Sequence, residues 1–202
     1  MKIQFKGKTC FTIKSENGTQ IILNPHSGLK DIGAKIVTLS RQNQENLNIS
    51  GNPQILDWPG EYEIDGIAIT GIAVNDQKNL QENIAFKILV DQMRVCYLGN
   101  FNIKANDEIL EKIGNVDILL IPVGGKDCLS AEQAKEIIEE IDPRIIIPMQ
   151  YKSEENLEQQ NTLGDFLKKM GQIESEPREV FEVSKSQLPE EKTDIIVLAR
   201  TE

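Results

Sequence analysis

Apolar and polar residues alternate along most of the first half of the chain. Lys2–Lys6 and Thr9–Lys14 change side at nearly every position and are rich in Phe, Ile and Thr. That period-two pattern predicts half-buried strands. Gln20–Leu23 is the return strand after the first turn, Lys35–Leu39 is a short apolar run that predicts a buried strand, and Gln54–Leu56, Glu61–Ile64, Ile67–Ile72, Ile84–Val90 and Met93–Leu98 supply further strands. Asn17-Gly18, Asp65-Gly66 and Asp91-Gln92 separate such runs and predict hairpin turns. The pattern then changes. Ala105–Ile113 carries Ile109, Leu110 and Ile113 at helical spacing, with Gly114 as the stop. Ser130 is a good N-cap for a helix through Ile141, with Ala131, Ala134, Ile137, Ile138 and Ile141 on one face. Thr162–Met170 predicts a third helix, closed by Gly171. Val116–Pro122 and Arg144–Pro148 are continuous apolar runs, as strands covered on both faces are. Glu179–Val183 and Asp194–Ala199 supply closing strands. Arg41–Asn48 predicts a loop with a helical turn, and Asn75–Asn83 and Ser153–Asn161 predict polar loops. Trp58, before Pro59-Gly60, is expected to be a packed turn residue. Hairpins followed by strands interleaved with helices predict an α/β (α+β) fold. Its architecture is a four-layer αββα sandwich, two sheets between helices, in a single domain over residues 1–202.

Composition narrows the functional classes. The chain has 202 residues, long enough for a sizeable core, and a formal net charge of −10. An acidic surface without a Lys/Arg cluster repels phosphate backbones and anionic lipid, so neither nucleic acid nor membrane is an expected partner. No apolar run approaches the roughly 20 residues that span a bilayer, and Met1–Phe5 leads straight into a strand rather than a secretory signal. Cys10, Cys96 and Cys128 are far apart and fit no zinc spacing. Cys10 and Cys96 are expected as buried thiols, and a reducing cytoplasm is the expected setting. The histidine count of 1 excludes any site built from several imidazoles.

Four segments in order carry a family resemblance. Gly7-Lys8-Thr9-Cys10-Phe11 resembles a Gly-His-Ser-Cys-Phe opening, and Pro59-Gly60-Glu61-Tyr62-Glu63-Ile64 resembles a Pro-Gly-Glu-Tyr-Glu-Ile turn. Asp117–Gly125 resembles Asp-Val-Leu-Leu-Ile-Pro-Val-Gly-Gly, and Ile147-Pro148-Met149-Gln150-Tyr151 resembles Ile-Pro-Met-His-Tyr. Together they resemble the Zn-dependent hydrolases of the metallo-β-lactamase superfamily, in the branch related to L-ascorbate-6-phosphate lactonases. The resemblance covers nearly the whole chain. It implies two bound Zn or Mn ions at the sheet edges. It also implies hydrolysis of an ester, lactone, amide or phosphoester by metal-bound hydroxide.

The positions that would hold those ions are replaced. Where the family has His-Asp-His-Phe-Asp-His, this chain has Arg41-Gln42-Asn43-Gln44-Glu45-Asn46. Arg41, Asn43 and Asn46 stand for the three histidines and Glu45 for the aspartate. A later histidine aligns near Asn75, the bridging aspartate is Asn100, and the last histidine is Gln150. An early aspartate is Asn24, and the opening histidine is Lys8. The changes share a direction. Without metal, clustered carboxylates repel each other and lack solvation, at a cost of several kcal/mol each. Asn24 and Asn100 keep the shape of Asp without its charge, and Arg41 brings a cation that can pair with Glu45.

The expectation is therefore a metal-free, inactive homologue with no cofactor. It would bind an unidentified small molecule or protein at the pocket marked by Asn24, Arg41, Asn43, Glu45, Asn46, Asn75, Asn100 and Gln150. Two alternatives remain: a hydrolase with an atypical metal site, and a structural subunit of a homo-oligomer. His26 and Asp76 are secondary candidates, His26 as acid, base or ligand, and Asp76 with Glu45 for a hard cation.

Overall fold

The computed structural model describes residues 1–29, 32–41, 47, 49–75, 82–104, 106–154 and 156–201. Strands β1 (Lys2–Gly7), β2 (Cys10–Lys14), β3 (Gln20–Leu23), β4 (Ile32–Gly33), β5 (Ile36–Thr38), β6 (Ile49–Ser50) and β7 (Gln54–Leu56) come first. They are followed by β8 (Gly60–Ile64), β9 (Ile67–Asn75), β10 (Glu82–Val90) and β11 (Met93–Tyr97). Helix α1 (Asp107–Ile113), β12 (Ile118–Pro122), α2 (Ala131–Ile141), β13 (Ile145–Met149) and α3 (Leu163–Lys169) alternate next. β14 (Phe181–Glu182) and β15 (Asp194–Ile195) come last.

One six-stranded sheet has the order β14-β1-β2-β3-β5-β7, and a seven-stranded sheet has the order β15-β13-β12-β11-β10-β9-β8. Each sheet is half hairpin and half parallel. β3, β5 and β7 run parallel, with Leu23 opposite Thr38 and Thr38 opposite Leu56. β11, β12 and β13 also run parallel, with Tyr97 opposite Leu120 and Pro122 opposite Met149. The main core lies between the sheets and includes Phe11, Ile13, Ile36, Phe86, Tyr97 and Ile147.

All three helices cover the outer face of the seven-stranded sheet. Helix α2 shows why the sequence folds there. Ser130 and Gln133 form a reciprocal capping box, and Asp142 ends the helix at φ 49°. Its buried face, Ala131, Ala134, Ile137 and Ile138, packs on the sheet. Each isoleucine buried in this way contributes about 1.5–3 kcal/mol. The outer face of the six-stranded sheet is covered differently among the described residues. Cys10, Ile22 and Val37 pack under Leu29, Ala34 and the small β4–β6 pair.

Several sequence expectations shift. β9 runs to Asn75 and β10 starts at Glu82, because the cross-strand pairing continues through Asn75 opposite Glu82 and Val74 opposite Asn83. The polar loop is thus shorter than 75–83, and 76–81 lie outside the described residues. The helical turn expected over Arg41–Asn48 lies mostly outside them as well. The closing strand over 194–199 is regular only at Asp194–Ile195, then continues as bridges such as Arg178 with Leu198. Trp58 is not packed: it is 61% exposed. Its backbone, not its ring, fills the space against Gly71, and its carbonyl accepts from the Tyr62 hydroxyl at 2.9 Å. No helix of the described residues is long and apolar enough to cross a membrane.

Candidate functional site

The parallel halves of the two sheets bring their C-terminal ends to one edge of the sandwich. Asn24 follows β3, Ser40 and Arg41 follow β5, Gly99 and Asn100 follow β11, Gly124 follows β12 and Gln150 follows β13. Ligands of α/β sheets bind at such ends. The two sheets are joined there by a hydrogen bond from the Ile84 N–H to the Ser40 carbonyl at 2.8 Å.

Asn24 turns the chain out of β3 at φ 44°, a left-handed conformation that asparagine tolerates. Its N–H donates to the Thr38 carbonyl at 2.9 Å, and its Oδ1 accepts from the Ser40 N–H at 2.7 Å. The opposite wall is fixed by Asn83. Its Nδ2 donates to the Leu98 carbonyl and its Oδ1 accepts from the Asn100 N–H, both at 3.0 Å. Between them sits Gly99 at φ 60°, where any Cβ would collide with the Ser40 hydroxyl. Asn83, Ser40 and Gly99 were missed as site residues by the sequence pattern. Asn83 sat in an apparent loop, while Ser40 and Gly99 were visible only as neighbours of substituted positions.

Tyr97 and the turn after β1 form the floor. The buried Tyr97 hydroxyl donates to the Thr9 carbonyl at 2.8 Å, and the side chains of Ser40 and Asn24 face it. Burial raises the pKa of this phenol far above its usual value, outweighing those polar neighbours. It therefore stays a neutral donor. His26 lies nearby, but its Nε2 is 3.1 Å from the Lys6 carbonyl oxygen. A carbonyl only accepts, so Nε2 carries the proton and the ring ties the loop after β3 to β1. The chain's one imidazole thus serves as a brace between backbone segments.

Gln150 leaves β13 at φ 56°. Its backbone is received closely by Gly124, where a Cβ would strike the Gln150 carbonyl and the Gln159 amide. A cavity of about 350 Å³ lies beside Gln150 and Lys8. Among the described residues, Thr38 Oγ1, Arg41 Nε and Gln150 Oε1 are buried at these strand ends without a hydrogen-bond partner. Asn24, Arg41, Asn100 and Gln150 thus each follow the C-terminal end of a strand at this edge, and of the four Gln150 is the one that lines the cavity. Asn75 ends β9, its side chain lying outside the described residues. Asn43, Glu45, Asn46 and Asp76 lie outside them altogether.

The residues present do not fit a pair of zinc or manganese ions. Amides and hydroxyls are poor ligands for those ions, and a guanidinium opposes any cation. The thiols add nothing. All three are buried, and burial pushes Cys10 and Cys96 up to about 12, with Lys6 and Lys87 respectively only partly opposing it. Burial raises Cys128 as well. Thiolate is therefore scarce at neutral pH, which disfavours both metal ligation and nucleophilic attack by cysteine. Among the described residues no group of three His, Cys, Asp or Glu side chains could hold a metal ion.

Some of the known proteins similar to this chain carry metal-dependent names. A UPF0173 protein of Pyrococcus abyssi is 25% identical over 179 residues, covering 75% of this chain and 83% of its own. A UPF0173 metal-dependent hydrolase of Thermococcus onnurineus is 27% identical over 131 residues, covering 60% of this chain and 58% of its own. The crystal structure of a candidate Zn-dependent hydrolase of the metallo-β-lactamase superfamily from Thermotoga maritima superposes with a TM-score of 0.86 at 29% identity. That match covers 98% of this chain and 97% of the other. The family model of the β-lactamase superfamily domain matches residues 2–150. With the two-sheet sandwich and that match over most of its length, the chain belongs to the β-lactamase superfamily, in its metallo-β-lactamase fold.

Proposed function

We propose that this chain is a metal-free member of its superfamily that binds a ligand at the strand-end pocket and does not hydrolyse through metal-bound hydroxide. The observation that supports this reading is the donor set at that edge. Asn24, Asn100 and Gln150 are neutral amides, Arg41 is a cation, and the only imidazole is engaged by the Lys6 carbonyl. The unpartnered buried atoms at the same place favour a bound polar molecule, since such groups cost free energy unless something satisfies them. The test is metal analysis of protein purified without chelator, with growth in zinc- and manganese-supplemented medium. Metal far below one ion per chain is expected. Stoichiometric zinc or manganese would overturn the reading.

The names of the relatives favour a second reading, a hydrolase with an atypical site. Glu45 is the carboxylate it would need at the altered motif. It predicts ester, lactone or phosphoester turnover that is stimulated by divalent ions and lost in Glu45→Ala. Absence of turnover across those substrates, with and without added metal, removes it.

A further inference from the structure

The lining of the cavity beside the strand ends combines apolar residues, Phe5, Tyr151 and Leu163 among them, with Lys8, Gln150 and Arg200. Its volume, about 350 Å³, suits a small organic molecule. Two of its polar lining residues hold an unusual backbone. Lys8 is at φ 55° and Gln150 at φ 56°. Neither is Gly, Asn or Asp, the residues that enter this region readily, so both conformations are strained. The surroundings enforce them. The Tyr97 hydroxyl holds the Thr9 carbonyl next to Lys8, and Gly124 admits the Gln150 backbone at close range. Strain kept at two residues facing one cavity points to a use for their side chains there.

The charge of the cavity runs against that of the chain. The whole chain carries −10, yet among the described residues Lys8 and Arg200 line this space with one carboxylate, that of Glu154. The Arg200 guanidinium lies over Gly7, where an added Cβ would be 3.2 Å from Nε, so it is positioned by the same turn that presents Lys8. Gln150 Oε1 is buried without a partner and calls for a hydrogen-bond donor on the ligand. The apolar part of the lining calls for a flat or branched carbon body.

We propose that this cavity binds a small organic anion that also carries a hydroxyl or N–H donor. Lys8 meets the charge, Gln150 meets the donor, and the carbon body lies against Phe5, Tyr151 and Leu163. The proposal rests on the pocket reading above only in placing protein cations, rather than metal ions, next to the ligand.

The test is calorimetric titration with 4-hydroxybenzoate, phenyl phosphate, inorganic phosphate and the neutral 4-hydroxybenzyl alcohol. At least one organic anion should bind, more tightly than the alcohol, and more weakly as salt is raised. The carboxylate and phosphate arms show which anionic group is preferred. Lys8→Gly should weaken binding by about tenfold, the loss of one charge-assisted hydrogen bond. Because glycine accepts φ 55°, the same variant should melt higher than the parent. Lys8→Arg should keep affinity within about twofold. Equal affinity for the alcohol, no binding of any anion below about 10 mM, or unchanged affinity in folded Lys8→Gly would each overturn the proposal. Metal content of the same preparation separates the two readings. Stoichiometric zinc with Lys8-dependent anion binding sinks the metal-free reading alone. Zinc-free protein with Lys8-independent binding sinks this one alone.

Discussion

The side-chain oxygen of Asn24 accepts the backbone N–H of Ser40 at 2.7 Å, while the same buried side chain faces the Tyr97 hydroxyl. The bond joins the ends of β3 and β5. An aspartate would make it equally well, which is why the asparagine is informative. Its extra charge would be buried beside the neutral Tyr97 phenol, with only 2% of residue 24 exposed.

Asn24→Asp should therefore lose about 2–4 kcal/mol of stability at pH 7, the range for an uncompensated buried charge. The sign of its pH dependence follows. Burial raises the carboxyl pKa in the folded state, so folding takes up protons and the deficit shrinks as pH falls. Urea unfolding of both proteins at pH 7 and pH 4.5 checks this. Unchanged stability together with newly acquired zinc would mean that the pocket still supplies a metal site.

Asp117 is a second electrostatic centre, away from the pocket. Its side chain is fully buried and accepts from Arg94 Nε and Nη2, each at 3.0 Å, and from the Arg94 N–H at 2.7 Å. Lys185 Nζ donates at 3.0 Å. Burial alone would raise this carboxyl, but the Arg94 and Lys185 hydrogen bonds outweigh it and hold the group well below the usual carboxylate range. The stabilisation is fully present above the unfolded aspartate value of about 3.9 and is lost as pH falls through the folded one. Its cationic partners are over a third exposed, so water screens part of the gain. Asp117→Asn should cost about 2–3 kcal/mol at pH 7. The gap between denaturant midpoints of parent and variant should begin to narrow as pH falls below about 4 and keep narrowing as acid is added. A constant gap across the range would contradict the electrostatic account.

The buried thiols give a kinetic prediction. With Cys10 and Cys96 pushed up to about 12 and Cys128 also raised, the folded protein should react slowly with a disulfide reagent at pH 8. All 3 thiols should react promptly in denaturant. A rapidly labelled thiol in the native state would require one of the three to be far more accessible than the fold allows.

Legibility from sequence divides along physical lines. Short apolar strands bounded by turn residues and helices with side-chain caps were readable, because both signals are local. Gln20–Leu23, Gln54–Leu56 and the Ser130-capped helix fall where the pattern puts them. The two-residue strands β4 and β6 were not readable, since they exist only through pairing with each other. Trp58 was misjudged because packing at its turn is made by backbone. At the site, replaced ligands were found by resemblance, but the residues that hold the pocket were not. Asn83 acts through bonds to Leu98 and Asn100, and His26 through a bond to Lys6, relationships that only the assembled fold reveals.

The contact between Gly99 and Ser40 allows a sharper test of how the two sheets meet. Gly99→Ala faces two separate penalties: φ 60°, and a collision with the Ser40 hydroxyl. The backbone penalty is about 1 kcal/mol, and overpacking adds about 1–3 kcal/mol. Ser40→Ala removes a buried hydroxyl that faces the Tyr97 phenol, so it should cost about 0.5–1.5 kcal/mol alone. Ser40 Cβ would still lie close to the new methyl, so the double variant should recover only part of the steric loss and none of the backbone loss. A double-mutant cycle by urea unfolding should thus give a favourable coupling of about 1 kcal/mol between the two changes. Strict additivity would mean that the strand ends of the two sheets move apart on mutation, and that the close contact is not what sets their spacing.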